Sequence, residues 1–424
     1  MARATAHGSN GMPSRTSLTR VIFAVAVAAI AVRFAAIALV PRALVWDGEI
    51  YAPLAERIAH GQGYVYAARA GAVPTPTAFY PVGYPALLAA MMLAVRSTGL
   101  AVAALNVAAA ALAAACTAWL GHRIAGARGA LVAGLAYALA PGPAIWSATA
   151  MTETVTGALV VAALALAVSF RDGDSSRRRL AQCIAVGLAL GAGTLVRPQL
   201  VVLAPVLGAL AHAPRRGRWT SAAIALAAAM LVVAPWTARN CAVMHRCVFV
   251  STNGGPNLLL GTLEDARGGF RHLHVADGCS DARSEPTRDD CMRHLAMRRI
   301  AENPLRTARL AAWKLWWTFG QEWAAASYLR DATRGRFDLA RATLLARACS
   351  AWWWALLLLG SIGAARVLRD APRNARAIVL GAVAVIAVFA VTHALFLGDD
   401  RYHLPLVPLV AAMAAGAFRR REAQ

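Results

Sequence analysis

The sequence predicts an all-α polytopic membrane protein that crosses the bilayer about ten times. Its 424 residues are 59% hydrophobic and 15% charged, and the mean hydropathy is +0.52. Soluble domains, in contrast, are about 45–50% apolar and about 25% charged. The apolar runs are long enough for membrane helices and lack the alternation that marks barrel strands. These runs are 21–40, 99–121, 129–148, 154–170, 180–196, 198–213, 220–236, 347–366, 376–397 and 404–418.

The distribution of arginine predicts which loops face the cytoplasm. A net charge of +22 suggests a nucleic-acid partner at first sight, but the basic residues fall in short clusters between the apolar runs. One alternating set of connections holds 19 arginines and four acids, whereas the other set holds 17 acids. Positively charged loops stay on the cytoplasmic side of a membrane. The charge therefore indicates topology, and we expect membrane lipids rather than nucleic acid as a partner.

The apolar segment 83–96 decides on which side of the membrane all later loops lie. If it crossed the membrane as an ordinary span, every later arginine cluster would lie outside. We therefore predict a re-entrant segment that enters or lies along the outer leaflet. The first run resembles a signal peptide but exceeds the usual apolar length of about 7–15 residues, so we predict that it is retained as a membrane helix.

Two outer regions of different character separate the membrane helices. The first is a short polar loop, whereas the second has the composition of a soluble domain. Within the second, 304–320 has the pattern of a helix lying in the membrane interface, with basic side chains directed to headgroups at Arg306, Arg309 and Lys314. We predict three parts: an N-terminal membrane module at 1–236 with a catalytic outer loop at 41–82, an outer, periplasmic region at 237–346, and C-terminal membrane helices at 347–424.

Four of the seven cysteines lie in the second outer region, at Cys241, Cys247, Cys279 and Cys291. An oxidising compartment outside the cytoplasm permits disulfides. Four cysteines allow three connectivities, and the simplest pairs each cysteine with its neighbour in the sequence. The alternative is that all four are unpaired small apolar residues.

Three carboxylates at the predicted outer edge of the membrane are candidate catalytic residues. Ionisable groups beside hydrocarbon are costly and often functional, and a carboxylate there can act as a general base. Asp47 and Glu49 follow the first helix, and Glu153 lies in a tight turn after Pro141-Gly142-Pro143. The alternative for Asp47 is to cap a helix at 48–60, and that for Glu153 is to complement a helix dipole.

Three arginines reach the same edge from different helix ends: Arg197, Arg239 and Arg401. The planar guanidinium matches phosphate geometry, and the phosphate of a membrane lipid lies at that depth. The alternative is that each arginine extends to ordinary headgroups. Asn253, in a Ser251–Asn257 segment rich in glycine and hydroxyl groups, either binds a sugar or phosphate or belongs to a surface turn. Arg33, in the middle of the first run, is expected to face the bundle interior.

No cofactor or metal is expected. The sequence has no Walker loop, no dinucleotide glycine fingerprint and no Cys-x-x-Cys pair. His272, His274 and Asp277 lack a matching ligand set elsewhere, so we interpret them as a solvated face.

Several short motifs occur in a characteristic order along the chain. They are Asp47 with Tyr51, Gly61 and Gly63, Phe79-Tyr80-Pro81-Val82-Gly83-Tyr84-Pro85, Met151-Thr152-Glu153, Arg197-Pro198, Pro235-Trp236-Thr237-Ala238-Arg239-Asn240 with Ser251-Thr252-Asn253-Gly254-Gly255, and Arg401-Tyr402-His403-Leu404-Pro405. In this order they resemble bacterial GT-C-fold glycosyltransferases of the dolichyl-phosphate-mannose–protein mannosyltransferase and aminoarabinose transferase type. The chain departs from that type at Pro81-Val82, where many relatives have two prolines, and it lacks the basic residue that the aminoarabinose enzymes have nearby.

The resemblance implies a GT-C-like fold and transfer of a sugar from a polyprenyl-phosphate donor to a lipid, glycan or protein acceptor. It places the reaction on the outer face of the bacterial inner membrane, in an inverting displacement. It further implies that Asp47 is the base and that Arg197, Arg239 and Arg401 bind the lipid phosphate. Glu49 and Glu153 are the other acidic candidates, and the remaining substrate-binding candidates are Tyr51, Tyr80, Tyr84, Asn253 and Tyr402.

The alternative function is a transporter or flippase of a lipid-linked or amphiphilic substrate. A transporter places charged residues near the bilayer midplane at broken helices. Here, apart from Arg33, the charges cluster at one face, which favours the enzyme.

Overall fold

The computed structural model describes residues 15–41, 43–67, 71–169, 175–211, 217–263, 265 and 267–420, and most of these are helical. The α-helices are α1 (Arg15–Leu39), α2 (Gly48–Ala59), α3 (Gly83–Val95), α4 (Thr98–Ala138), α5 (Pro141–Trp146), α6 (Glu153–Ala167), α7 (Ser176–Val196), α8 (Leu203–Leu210), α9 (Arg218–Val243), α10 (Gly254–Leu260), α11 (Glu285–Glu302), α12 (Pro304–Phe319), α13 (Ala324–Ala332), α14 (Leu339–Asp370), α15 (Arg373–Leu395) and α16 (Val407–Ala414). Short 3₁₀ helices lie at Pro198–Val202, Val275–Asp277, Asp400–Leu406 and Ala415–Phe418. Strands β1 (Val65–Tyr66) and β2 (Thr75–Pro76) pair antiparallel.

Long apolar helices confirm the predicted all-α, multi-pass membrane architecture. Among the described residues, α1, α4, α7, α9, α14 and α15 are long and apolar enough to cross a membrane. The shorter apolar helices are Gly83–Val95, Glu153–Ala167 and Pro198–Leu210, and the ends of the predicted runs 154–170 and 198–213 lie outside the described residues. The total of ten spans and the membrane placement of 83–96 stay predictions.

A sharp bend divides α4 into two halves, which correspond to the predicted runs that begin at 99 and 129. Ala125 and Gly126 have non-helical dihedrals, and Gly126 has a φ of 67°, a conformation that glycine adopts readily. The halves meet where a Cβ on Gly129 would lie 2.2 Å from the Gly121 carbonyl oxygen. Small residues let helix backbones approach closely inside a membrane, so glycine at these positions permits the hairpin.

Arg33 faces the bundle interior, as predicted, and is fully buried. Its guanidinium donates to the carbonyls of Tyr137 and Ala138, the latter contact being the shorter, and lies 5.0 Å from the centre of the Tyr137 ring. The last carbonyls of a helix have no partner within that helix. Arg33 therefore supplies hydrogen-bond donors to the last carbonyls of α4, just before Pro141-Gly142-Pro143 starts a new helix.

Both disulfides of the simplest predicted pairing are present in the second outer region. Cys241 pairs with Cys247, and Cys279 pairs with Cys291. The first closes the turn after α9, and the second joins α11 to the segment before it. Each disulfide therefore fixes a short local loop.

The helix predicted at 304–320 forms as α12, and its place in the membrane interface stays a prediction, but the expectation for Lys314 is wrong. Lys314 is only 1% exposed and donates to the carbonyls of Ala394 at 3.1 Å and Leu395 at 2.8 Å. These carbonyls end α15, where a cation is favoured by the helix dipole. Lys314 thus caps a membrane helix and does not reach a headgroup.

We predict that Lys314 titrates far below a free lysine, because burial lowers its pKa to about 8, whereas an unperturbed lysine has a pKa of about 10.4. Lys314 is the only lysine in the chain, so ¹³Cε-lysine labelling gives one side-chain NMR signal. We expect its chemical shift to change with a midpoint near pH 8. A midpoint close to that of free lysine would contradict the buried position.

The same shift predicts how stability depends on pH. Between about pH 8 and pH 10.4, the unfolded chain holds the Lys314 proton and the folded chain does not, so the contribution of Lys314 to stability rises with pH in this window. The melting temperature in detergent should therefore rise more across this window for the wild type than for Lys314→Met. An equal response of the two proteins would remove Lys314 as the cause.

Candidate active site

Asp47 lies between α1 and α2, at the position before the first residue of α2. Its side chain makes no cap hydrogen bond to that helix, so the capping alternative is not its role here. The preceding Trp46 has a φ of 57°, a region that non-glycine residues seldom occupy. Backbone strain of this kind persists only where surrounding contacts maintain it.

The Asp47 carboxylate contacts one partner with each oxygen. The Tyr80 hydroxyl donates to Oδ1 at 3.0 Å, and Arg401 Nη1 donates to Oδ2 at 3.0 Å. Tyr80 comes from the same outer loop, whereas Arg401 lies on the 3₁₀ helix Asp400–Leu406 near the other end of the chain. The Asp47 side chain is 28% exposed and that of Arg401 is 12% exposed, so the carboxylate is oriented and still accessible.

Tyr402 links this contact to a second acid–arginine pair. Its ring centre lies 5.2 Å from the Arg401 guanidinium and 5.3 Å from that of Arg197, within the range of cation–π attraction. Arg197 Nη2 lies 2.5 Å from Glu153 Oε1, and its Nε donates to Thr152 Oγ1 at 3.0 Å. Glu153 is 2% exposed, so this pair is largely shielded from water.

Three predicted tyrosines form an aromatic wall beside the acids. The Tyr51 ring centre lies 5.1 Å from that of Tyr80 and 5.2 Å from that of Tyr84. Burial, together with the nearby Asp47 carboxylate, raises the pKa of Tyr51 and of Tyr80. Both phenols therefore keep their protons at neutral pH, and the Tyr80 hydroxyl serves as a donor.

Two buried oxygen atoms in this group can accept further contacts. Among the described residues, the Tyr84 hydroxyl and Glu153 Oε2 have no hydrogen-bond partner. Most buried polar atoms in proteins are paired, and an exception requires an explanation. A polar group of a bound ligand would provide one.

The structure brings together eight of the eleven predicted site residues: Asp47, Tyr51, Tyr80, Tyr84, Glu153, Arg197, Arg401 and Tyr402. The other three lie apart from this network. Glu49 is exposed on α2, and Asn253 Oδ1 accepts from the Ser251 hydroxyl at 2.9 Å. The guanidinium of Arg239 donates to the carbonyls of Thr77 at 2.7 Å and Tyr64 at 3.0 Å.

Sequence reasoning missed the contacts that hold the Trp46 side of the site. Trp46 Nε1 donates to Asp331 Oδ2 at 2.7 Å. Its ring packs against Tyr328 and Trp146, with centres 5.5 and 6.0 Å away. Asp331 and Tyr328 both belong to α13, in the second outer region, so this region braces the residue next to Asp47.

It also missed a buried pair that holds the segment of Arg401. His403 Nε2 lies 2.9 Å from Glu322 Oε1, and its Nδ1 lies 2.6 Å from the Thr318 carbonyl. Because that carbonyl only accepts, Nδ1 carries a proton. Asp400 accepts from the backbone amides of Trp323 and Ala324, the latter at 2.7 Å. The motif was visible in the sequence, but its partners were not.

We predict that Glu322→Ala destabilises the protein strongly, because it leaves the fully buried His403 without a partner for Nε2. Removing one partner of a buried pair costs about 3–5 kcal/mol. Glu322→Gln should cost much less, since its side-chain amide keeps a hydrogen-bonding group beside Nε2. Unfolding in detergent measures both, with the exposed Glu302→Ala as control. Equal stability of Glu322→Ala and Glu302→Ala would contradict the assignment.

The fold of the chain is similar to that of several solved structures. The chain is similar to an oligosaccharyltransferase from Archaeoglobus fulgidus, crystallised with a tethered acceptor peptide, with 14% identity over 95% of this chain and 49% of that chain and a TM-score of 0.53. A second structure of that protein, with zinc and sulfate, gives 15% identity over 93% of this chain and 48% of that chain, with a TM-score of 0.49. ArnT from Cupriavidus metallidurans, crystallised with undecaprenyl phosphate, has 16% identity over 95% of this chain and 78% of that chain, with a TM-score of 0.44.

The similarity with a TM-score of 0.53 shows the fold. The chain has the GT-C fold of membrane glycosyltransferases, as the resemblance implied, and it spans about half the length of the oligosaccharyltransferase. No family model matches the sequence, and no curated protein matches it either.

Proposed function

We propose that this protein is a membrane glycosyltransferase that moves a sugar from a polyprenyl-phosphate donor to an acceptor in the cell envelope. The observation that carries the proposal is the Asp47 carboxylate, accessible and held between the Tyr80 hydroxyl and the Arg401 guanidinium. A base for glycosyl transfer needs a carboxylate in a fixed orientation that the acceptor can still reach.

The positions of the charged residues support a lipid-linked donor. Asp47 follows α1, Glu153 begins α6, Arg197 ends α7 and Arg401 follows α15. These helix ends lie together at one end of the bundle, where the phosphate of a membrane lipid would be. The arginine distribution favours the periplasmic side of the inner membrane for this end.

Arginines beside the acids can stabilise the leaving group. As the bond from sugar to phosphate breaks, negative charge develops on the polyprenyl phosphate, and donors already in place lower that barrier. A guanidinium has five N–H donors. The described hydrogen bonds of Arg197 use Nε and Nη2. Arg401 donates to Asp47 through Nη1 and to the Tyr402 hydroxyl through Nη2, and its Nε lies 3.4 Å from Asp399 Oδ2.

In the proposed reaction Asp47 takes a proton from the acceptor hydroxyl or amine, and the acceptor attacks the anomeric carbon. The bond to phosphate breaks on the opposite face, so the sugar inverts and no protein nucleophile is needed. The lipid phosphate leaves with the bonding electrons. Lipids, glycans and proteins are the acceptor classes to test, and the peptide in the oligosaccharyltransferase structure makes a peptide a reasonable early choice.

We predict that Asp47→Asn abolishes most transfer and leaves donor binding intact. An asparagine keeps the size and one acceptor oxygen but cannot take a proton, and general-base catalysis contributes about 10²–10⁴-fold to a rate. The measurement is release of radiolabelled sugar from a panel of polyprenyl-phosphate sugars by purified protein with membrane extract.

The matched control is Asp281→Asn, at an exposed acid of the second outer region. It should transfer at the wild-type rate. Equal transfer by Asp47→Asn and the wild type would exclude Asp47 as the base and direct attention to Glu153 and Glu49. Movement of the lipid across the membrane without transfer would favour a flippase.

A further inference from the structure

The second outer region holds the backbone that carries Tyr80 through a single carboxylate. Glu285, the first residue of α11, accepts from the Thr77 hydroxyl with Oε1 at 2.7 Å and from the Ala78 amide with Oε2 at 2.9 Å. The Thr252 hydroxyl donates to the same Oε2 at 3.3 Å. Glu285 is 208 residues from Thr77 in the chain, so only the folded outer region brings them together.

Arg239 also holds this segment, through hydrogen bonds to two backbone carbonyls. Its Nη1 donates to the Thr77 carbonyl at 2.7 Å and its Nη2 donates to the Tyr64 carbonyl at 3.0 Å. The Tyr64 hydroxyl in turn donates to the Tyr80 carbonyl at 2.9 Å. Arg239 also lies over the Trp236 ring, 4.8 Å from its centre. A guanidinium engaged in this way fixes the backbone before Tyr80.

Burial and covalent structure make this arrangement rigid. Thr77 is 4% exposed and Thr252 is 1% exposed, so water competes little for these hydrogen bonds. The amide of Thr252 donates to the Ala78 carbonyl at 2.8 Å. The disulfide Cys279–Cys291 encloses Glu285, and Cys241–Cys247 begins two residues after Arg239. Each charged side chain thus comes from or adjoins a loop closed by a disulfide.

We propose that Glu285 and Arg239 are positioning residues that set the orientation of Asp47 through Tyr80. They fix Thr77 and Ala78, which fixes Tyr80 two residues later, and its hydroxyl donates to Asp47 at 3.0 Å. Glu285 touches none of the proposed reacting groups. Its catalytic consequence rests on the proposed function, but the structural coupling does not.

Hydrogen–deuterium exchange of the full-length protein in detergent tests the coupling without any substrate. We expect Glu285→Ala to speed amide exchange in peptides that cover 77–82 by roughly tenfold or more, because hydrogen bonds to a charged group are stronger than neutral ones. Exchange should also rise at 46–51, around Asp47. Glu285→Gln keeps one acceptor oxygen and should give a smaller rise at both places.

The control is Glu302→Ala, at the exposed far end of the same helix, which should change neither region. A rise at 77–82 without a rise at 46–51 would show a purely local role for Glu285 and overturn the proposal. No rise in either region would overturn it as well. These readings hold whether or not sugar transfer is ever observed.

A double-mutant cycle with Tyr80→Phe then tests the route in the transfer assay. Small misplacements in an active site cost up to about 10²-fold in rate, so we expect Glu285→Ala to lower kcat by roughly tenfold. In the Tyr80→Phe background the same change should have little further effect, since residues acting through one contact are not additive. Fully additive losses would exclude a route through Tyr80. If the wild type transfers no sugar, the proposed function fails. The exchange data alone then decide whether Glu285 positions the segment around Asp47.

Discussion

The site depends on one contact, in which the Arg401 guanidinium meets the Asp47 carboxylate across 354 residues of chain. Asp47 lies on the first outer loop and Arg401 lies between the last two helices, so no local structure could bring them together. A charge-assisted hydrogen bond of this kind is strong, but it forms only when both side chains are held at the right distance and angle. Several contacts around the site hold the two side chains in this way.

One set of contacts positions Arg401, and another positions Asp47. On the Arg401 side, Asp400 accepts from the amides that start α13, and His403 pairs with Glu322 and the Thr318 carbonyl. On the Asp47 side, Tyr80 holds one carboxylate oxygen. The two sides also meet through α13, since Asp331 of that helix accepts from Trp46. The second outer region therefore supports both halves of the site without supplying its central acid.

Acids and arginines alternate through the network, which limits the cost of removing them from water. Asp47 pairs with Arg401, and Glu153 pairs with Arg197. A buried charge without a partner is far more costly than a pair. In the proposed reaction, the phosphate would add negative charge beside these arginines, so the same guanidinium groups would serve both binding and catalysis.

Hydropathy and charge predicted the long apolar helices and the polar residues beside their ends, but they did not predict the helices α10, α11 and α13. Asp47, Glu153, Arg197 and Arg401 were visible because polar groups beside long apolar runs are rare. The bend of α4 lies between two predicted runs, and the two disulfides match the simplest of the three possible connectivities, although the sequence also left four unpaired cysteines open.

The partners of those residues were not predictable. Glu285 and Glu322 resemble ordinary surface acids in the sequence, and only the fold brings them to Thr77 and His403. Lys314 matched the pattern of an interfacial helix, but the carbonyl groups at the end of α15 bind it instead. Similarly, Arg239 fitted the pattern of a phosphate ligand, whereas its guanidinium lies on two backbone carbonyls.

The most direct test of the account is an experimental structure of the protein with a polyprenyl phosphate bound. We expect the phosphate beside Arg401 and Arg197, within a hydrogen-bond distance of about 3 Å from at least one guanidinium, and on the same side of the bundle as Asp47. A phosphate bound at the opposite end of the bundle, near Arg366 and Arg419, would contradict the proposed site and the side of the membrane proposed for the reaction.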